Sequence, residues 1–203
     1  FVDPFIEIFK NKVKFSVIEN PLNSSHFQPA KTKNLYFGEI FIFLSNIFSR
    51  FFSTKLSQQE INFINKIDKE IYFKFGVKIN LLPKIREFLP RYRAELLIYK
   101  IFFKIKKPKK IFLVVSAGYE SMIEAAKFLK IKTYELQHGS PSRGKLNYDY
   151  SSGINKSTFP DYFLSFGKIW TNDIKLPIKS ENIIEIGFPY LNQKLHQINN
   201  TFK

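Results

Sequence analysis

The stretch IFLVVSAGYESMIEAAKFLKIKTYELQHG, residues 111–139, decides the fold of this chain. Residues 111–115 are apolar and rich in β-branched side chains, and they predict a strand that is buried on both faces. Residues 121–130 place their apolar side chains at helical spacing, and residues 132–136 are again strand-like. A strand, a helix and a second strand of this length predict the crossover unit of a parallel sheet.

Residues 36–107 are predicted to form three helices that precede this unit. The first is indicated by a stripe of apolar side chains at helical spacing. The second begins at a capping box made by Ser57 and Glu60 and ends near Gly76. In the third, a break is expected before Pro90, because proline has no N–H for a helical hydrogen bond.

Three further strands are predicted, over residues 12–19, 161–166 and 182–186. The order of elements predicts an α/β fold with a doubly wound, Rossmann-like parallel sheet. A helical insertion, residues 36–107, follows the first strand. We expect a single domain that spans residues 1–203.

The formal net charge of the 203 residues is +15, and it is unevenly distributed. Residues 91–110 hold eight basic residues and one acidic residue, Glu95. Such a segment suits an anionic membrane surface, a phosphorylated ligand or nucleic acid. The alternative is that lysine is simply abundant here, together with Asn, Ile and Phe, as AT-rich coding would make it. The basic residues are Arg91, Arg93, Lys100, Lys104, Lys106, Lys107, Lys109 and Lys110.

The chain opens Phe-Val-Asp-Pro, without Met and without the basic-then-apolar pattern of a signal peptide. We therefore expect a part of a longer chain. The most apolar windows are too short or are interrupted by charges, so no membrane-spanning segment is expected.

Several catalytic classes leave no trace in the sequence. It contains no Walker loop, no GxGxxG, no HExxH and no nucleophile elbow. Three scattered histidines and no cysteine make a zinc site unexpected, and neither a metal nor a cofactor is predicted. His26 and His196 are interpreted as solvent-exposed residues.

The candidate site lies in the loops that follow the strands, because ligands of parallel sheets bind beyond the carboxyl ends of the strands. His138 is the sharpest candidate: desolvated behind a buried strand, it would act as a general base toward a hydroxyl. Alternatively, it holds neighbouring loops in place. Arg143 would pair with phosphate or be merely solvated, and Glu120 would bind a ligand or complement a helix dipole. The candidate ligand-binding residues are Gly118, Tyr119, Glu120, Gln137, Gly139, Ser140, Arg143, Gly167, Lys168 and Gly187.

Four segments together resemble bacterial surface-polysaccharide glycosyltransferases of the GT-B type, the enzymes of capsule and lipopolysaccharide assembly. The segments are Ala125-Ala126 with Leu129, ELQHG at 135–139, FPDYFLSFG at 159–167 and NIIEIGFPY at 182–190. More distantly, the His-Gly pair after a strand is similar to the CDP-glycerol glycerophosphotransferases.

The resemblance implies a two-domain enzyme whose first domain holds the acceptor and His138 as the catalytic residue. A second domain, expected after residue 203, would hold the nucleotide-sugar donor. The acceptor would be a growing surface polysaccharide or a lipid-linked glycan. The implied location is cytoplasmic, including a peripheral position on the inner face of the membrane through residues 91–110. The alternatives are transfer of a polyol phosphate and a non-catalytic basic binding module. No nucleic acid partner is expected, because the aromatic residues occupy core-type helical positions.

Overall fold

The computed structural model describes residues 6, 7, 9, 12–21, 23, 25, 26, 32, 34–150, 154, 156–188, 190, 191 and 195. His196, interpreted from the sequence as solvent-exposed, lies outside these residues. In chain order the elements are β1 (Val17–Glu19), β2 (Leu35–Phe37), α1 (Gly38–Phe48), α2 (Gln58–Phe75), α3 (Leu81–Lys106), β3 (Lys110–Leu113), α4 (Glu120–Phe128), β4 (Lys132–Leu136), β5 (Tyr162–Ser165) and β6 (Ile183–Glu185). Short 3₁₀ helices occupy Ser49–Phe51, Lys168–Trp170 and Ser180–Asn182.

The main sheet contains β3, β4, β5 and β6, side by side in chain order and all parallel. The predicted α/β fold with a parallel sheet is confirmed, and so is the crossover unit β3–α4–β4. The four strands follow one another without a reversal of order, however, so the described residues form no doubly wound switch point.

The first strand does not join the main sheet, contrary to the prediction. β1 pairs in parallel with β2 in a separate two-stranded sheet, and Val17 is aligned with Leu35. A strand of three residues does not specify which strand it pairs with, and the prediction therefore assigned β1 to the wrong sheet. Along the chain, the three helices therefore follow the strands of the small sheet and precede those of the main sheet. They begin at residue 38 and end at residue 106, because residues 35–37 form a strand.

The capping box at the start of α2 is confirmed. The backbone N–H of Glu60 donates to Ser57 Oγ at 3.3 Å, and the N–H of Ser57 donates to Glu60 Oε2 at 2.7 Å. The helix ends at Gly76, whose φ of 68° is the left-handed conformation that glycine adopts without strain.

The break before Pro90 does not occur: α3 is one helix from Leu81 to Lys106, with a buried Pro90 inside it. A proline costs a helix one hydrogen bond, and close packing of its ring against neighbouring elements offsets that cost.

The main core lies between α3 and its neighbours. α3 packs against α1 and α4, and α4 also packs against β4 of the main sheet. The buried core residues are Phe41, Ile98, Tyr99, Phe103, Leu113, Met122, Ile123, Ala125 and Ala126. A second cluster, Tyr148, Phe159, Phe163 and Ile174, lies under the loops that follow the strands. Among the described residues no helix is long and apolar enough to cross a membrane.

His26 joins the two strands of the small sheet to the start of α1, so its interpretation as a solvent-exposed loop residue is wrong. Nδ1 lies 2.9 Å from Oε1 of Glu19 at the end of β1, and Nε2 lies 2.7 Å from Oε1 of Glu39 in α1. Partial desolvation lowers the pKa of His26, but the hydrogen bonds and charges of Glu39 and Glu19 outweigh it, and the net pKa is raised.

We expect His26→Ala to destabilise the protein more at acidic than at alkaline pH. A raised pKa means that the folded state binds the proton more tightly than the unfolded chain. The stabilisation is therefore complete below the ordinary histidine pKa of ~6.5 and is lost as the pH rises through the folded value. Urea denaturation of both proteins across this range measures the difference, and a difference that is constant with pH would contradict the assignment.

Candidate functional site

The residues of the loop after β3 form hydrogen bonds and packing contacts within the protein. Gly118 has a φ of 88°, and its N–H donates to Glu120 Oε2 at 2.9 Å. Glu120 also lies 3.9 Å from the ammonium group of Lys156. The hydroxyl of Tyr119 is hydrogen-bonded to Asn20, and its ring packs on the main core. These three predicted ligand-binding residues thus support the turn between β3 and α4, and none of them lines the groove described below.

Gln137 joins the ends of two neighbouring strands. Its side chain is buried, and Oε1 accepts hydrogen bonds from Phe166 N at 2.8 Å and from Ser165 Oγ at 3.0 Å. Its Nε2 donates to the carbonyl of Gly139 at 2.9 Å. Because every polar atom of the side chain is used inside the protein, Gln137 positions the two loops.

His138 lies at the predicted edge of the sheet but is exposed, so the predicted desolvation is wrong. Its ring centroid is 6.4 Å from that of Tyr148, and within the described part of the chain no group forms a hydrogen bond with the imidazole. The loop-holding role considered for His138 belongs to the preceding residue instead.

The loop over residues 140–150 is braced by its own polar groups. Lys145 Nζ donates to the carbonyl of Ser140 at 2.6 Å. The carboxylate of Asp149 accepts from the N–H groups of Gly144 at 3.0 Å and of Lys175 at 3.2 Å, and these bonds lower its pKa. The long irregular segment therefore has a defined shape where the structure describes it.

An open groove of about 540 Å³ lies between this loop and the one that follows β5. Its volume is typical of sites for small molecules. Arg143 lines it, with Nε donating to the carbonyl of Asp173 at 3.2 Å. Ile169 and Trp170 supply exposed apolar surface, at 81% and 40% of their full areas. The lining residues are Ser140, Pro141, Ser142, Arg143, Ile169, Trp170, Asp173 and Ile174.

Two of the predicted residues, Ser140 and Arg143, therefore line the groove, and Trp170 is the most informative of the six lining residues that the prediction missed. The signal for it was present: it is the single Trp of the chain, and it follows a glycine that comes directly after a strand. A much smaller cavity, about 20 Å³, adjoins the groove and is lined by His138, Gly139 and Tyr148, among others. It has room for about one water molecule.

The remaining predicted residues do not line the groove. Gly167 lies beside the hydroxyl of Ser165, to which its N–H donates at 3.2 Å. Lys168 is exposed at the start of a 3₁₀ helix, where its carbonyl accepts from Asn172 N at 3.0 Å. Gly187 follows β6 with a φ of 71°.

Glu135 is a fully buried carboxyl group beneath the same loop. The hydroxyl of Tyr148 donates to its Oε1 at 2.5 Å, while Oε2 has no hydrogen-bond partner among the described residues. Burial raises the pKa of Glu135, and the hydrogen bond from Tyr148 and the proximity of Ser116 offset this shift only in part. The residue is therefore more easily protonated than an ordinary glutamate.

Three of the eight basic residues of segment 91–110 lie against aromatic rings of three different elements. Lys100 lies 3.9 Å from the ring centroid of Phe128 in α4, and Lys106 lies 4.9 Å from that of Tyr36 in β2. Lys110 lies 5.6 Å from the ring of Tyr134 in β4. Each ammonium group rests on a different element.

No metal centre is built by the part of the chain that the structure describes, where no three His, Asp or Glu residues converge.

The chain matches no family model, no curated protein and no solved structure. Its resemblance to glycosyltransferases therefore rests on the quoted motifs alone. Most motif residues have internal roles: Phe159 is buried, and the carboxylate of Asp161 accepts from Thr133 N at 2.9 Å. Among ELQHG, the charged or polar side chain left available to a ligand is that of His138.

We expect Gln137→Ala to lower the free energy of unfolding by about 1–3 kcal/mol, because it removes the buried amide oxygen that accepts from the N–H of Phe166. The hydroxyl of Ser165 loses the same acceptor but keeps the carbonyl of Gly167 at 3.0 Å. The adjacent His138→Ala serves as the control and should change it by less than about 0.5 kcal/mol. Denaturant titration of both variants measures this. Equal losses would show that the loop depends on His138 as well.

We expect Glu135→Gln to flatten the pH dependence of stability. With its raised pKa, the folded state keeps a proton that the unfolded chain releases above ~4.3, so the wild type loses stability as pH rises through this window. Glutamine removes this loss and keeps an acceptor for Tyr148. The measurement is thermal unfolding of both proteins over the acidic and neutral range; parallel curves would contradict the expectation.

Proposed function

We propose that this chain is the acceptor-side domain of a glycosyltransferase, which moves a sugar from a nucleotide-sugar donor to a growing bacterial surface polysaccharide or lipid-linked glycan. The observation that carries the proposal is the groove at the carboxyl edge of the sheet. It combines an exposed Trp170 with Arg143, and it begins two residues after the exposed His138.

The chemistry of the groove suits a glycan. An indole face packs well against the apolar face of a sugar ring while keeping one polar edge toward solvent. The serine hydroxyls of Ser140 and Ser142 and the carboxylate of Asp173 lie in the same lining and suit hydrogen bonds to sugar hydroxyls.

Arg143 suits an anionic group of the substrate. Its Nε is held by the carbonyl of Asp173, while its two terminal nitrogens form no hydrogen bond within the described part of the chain. A guanidinium oriented in this way can bind phosphate through two parallel hydrogen bonds.

The proposed step is a displacement at the anomeric carbon of the donor. The acceptor oxygen forms a bond to that carbon, and the bond from the carbon to the nucleotide phosphate oxygen breaks. The nucleotide leaves with the electron pair. His138 takes the proton of the acceptor hydroxyl as a general base. We place the donor in a second domain, and the enzyme in the cytoplasm or on the inner face of the membrane.

Transfer of a polyol phosphate is the second candidate, because Arg143 suits a transferred phosphate equally well. The two reactions give different products. With CDP-glycerol, the acceptor oxygen would bond to the distal phosphorus, and CMP would leave. With a nucleoside-diphosphate sugar, the phosphates stay together on the released nucleoside diphosphate. A non-catalytic basic module is the third candidate and would release no nucleotide.

We expect the full natural chain to release nucleotide from one member of a panel of nucleotide sugars and CDP-glycerol, with membrane extract as acceptor. His138→Ala should lower kcat at least about 100-fold. Trp170→Ala and Arg143→Ala should mainly raise KM, because they remove binding contacts. Liquid chromatography identifies the nucleotide and therefore the reaction.

Lys179→Ala is the matched control, because that side chain is 80% exposed and lies outside the groove lining. This substitution should leave kcat and KM unchanged. An unchanged rate in His138→Ala would remove the proposed base, and no release from any donor would refute the transferase and favour the binding module.

A further inference from the structure

Two helices form an arm that has almost no buried residue. Over residues 58–89, which comprise α2 and the first part of α3, Ile64 alone is buried, and the next buried residue in α3 is Pro90. With 1.5 Å of rise per residue, the start of α3 lies roughly 14 Å along the helix axis from Pro90. The arm therefore projects from the core.

The arm is held together by aliphatic side chains, while its aromatic residues face outward. Ile61, Ile67 and Ile71 of α2 are half-buried, as are Ile85 and Leu89 of α3. Phe63, Tyr72, Phe73, Phe75 and Phe88, in contrast, are all more than half exposed. Phe73 is 90% exposed. These rings contribute little to folding, so their exposure requires another explanation.

The exposed rings and the basic residues concentrate at the arm tip, which we define as residues 72–86. Residues 72–80 are exposed without interruption. Tyr72, Phe73, Phe75, Val77 and Ile79 form the apolar part of the tip. Its charged residues are Lys74, Lys78, Lys84 and Arg86, and this range contains no acidic residue.

The tip has a defined shape. The N–H of Leu81, the first residue of α3, donates to both carboxylate oxygens of Asp68, at 2.9 and 3.1 Å. The N–H of Gly76 donates to the carbonyl of Tyr72 at 2.8 Å. Because the turn is fixed at both ends, the apolar side chains are presented together.

We propose that the arm tip docks on the surface of a bilayer that contains anionic lipid. Apolar and aromatic side chains at a convex tip can enter the headgroup region, where Tyr prefers to lie. Lysine and arginine side chains around them reach the lipid phosphates, and each contributes attraction to an anionic surface. This places membrane contact at the tip and not at residues 91–110, and it does not depend on the proposed function.

Charge and shape favour a bilayer over two other partners. A second copy of the tip would bring four positive charges against four, which opposes dimerisation through this surface. Single-stranded nucleic acid binds along charged grooves with stacking rings, whereas this tip projects and carries aliphatic Val77 and Ile79 beside its rings.

The test is co-sedimentation of the full chain with vesicles of phosphatidylcholine, alone or mixed with phosphatidylglycerol. We expect binding to the mixed vesicles alone, weakening as salt increases. The double variant Phe73→Ser, Phe75→Ser should lower the affinity at least about tenfold, since two rings lose their burial in the interface. Lys74→Glu with Lys78→Glu should lower it at least as much.

Two matched controls lie outside the arm. Phe128→Ser removes a ring that is 65% exposed in α4, and Lys179→Glu reverses an exposed charge; neither should alter vesicle binding. All substituted side chains are exposed, and circular dichroism checks that the variants fold. Phe73→Trp, in a Trp170→Phe background, should show a blue shift of its fluorescence on addition of mixed vesicles.

Several results would overturn the proposal. These are vesicle binding that is unchanged in the double Phe variant, and a Phe73→Trp spectrum that mixed vesicles do not shift. The proposal is also wrong if the wild-type protein does not bind the mixed vesicles. In that case, tip variants that lose binding to oligonucleotides would identify nucleic acid as the partner, and tip variants that lose self-association in sedimentation velocity would identify a second copy of the chain. The vesicle assay contains no donor nucleotide and measures binding alone. A negative result in the nucleotide-release experiment therefore does not affect the membrane-docking proposal.

Discussion

The buried amide of Gln137 is the interaction on which the carboxyl edge of the sheet depends. It follows β4 directly and binds the backbone and the hydroxyl at the end of β5, through Phe166 and Ser165. A single side chain therefore sets the spacing between the two loops that enclose the groove. The same amide binds the carbonyl of Gly139 and thus fixes the backbone on both sides of His138. The backbone position of the exposed His138 is therefore fixed by the buried side chain of Gln137.

The residues that resemble an enzyme motif divide by burial into two groups. Glu135 and Phe159 are buried, and Asp161 binds the start of β4 through Thr133. These residues maintain the sheet and the loop packing. His138, in contrast, is exposed at the carboxyl edge of the sheet. The buried residues of the motif therefore stabilise the fold, and the exposed residue is available to a ligand.

Exposed aromatic residues occur in two settings with different chemistry. Trp170 lies in a groove beside a guanidinium and several hydroxyls, where a polar ligand of limited size fits. Phe73 and Phe75 lie on a projecting turn among lysines, where an extended surface fits better. Phe41, Tyr99 and Phe103 lie in the core, as expected for aromatic residues of the helices, but the expectation is wrong for the aromatic residues of α2. In α2 the isoleucines fill the seam and the phenylalanines point away from it.

The features that depend on neighbouring residues could be predicted from the sequence. β4 has the predicted bounds, the capping box of α2 is formed, and the strands of residues 110–185 are parallel, because periodicity and capping act over a few residues. Only the tertiary structure decided the partner of β1, the passage of α3 through Pro90 and the exposure of His138. Each of these depends on contacts between residues far apart in the chain, and local patterns do not encode such contacts. The groove at Trp170 belongs to the second class, since two loops about 30 residues apart form it.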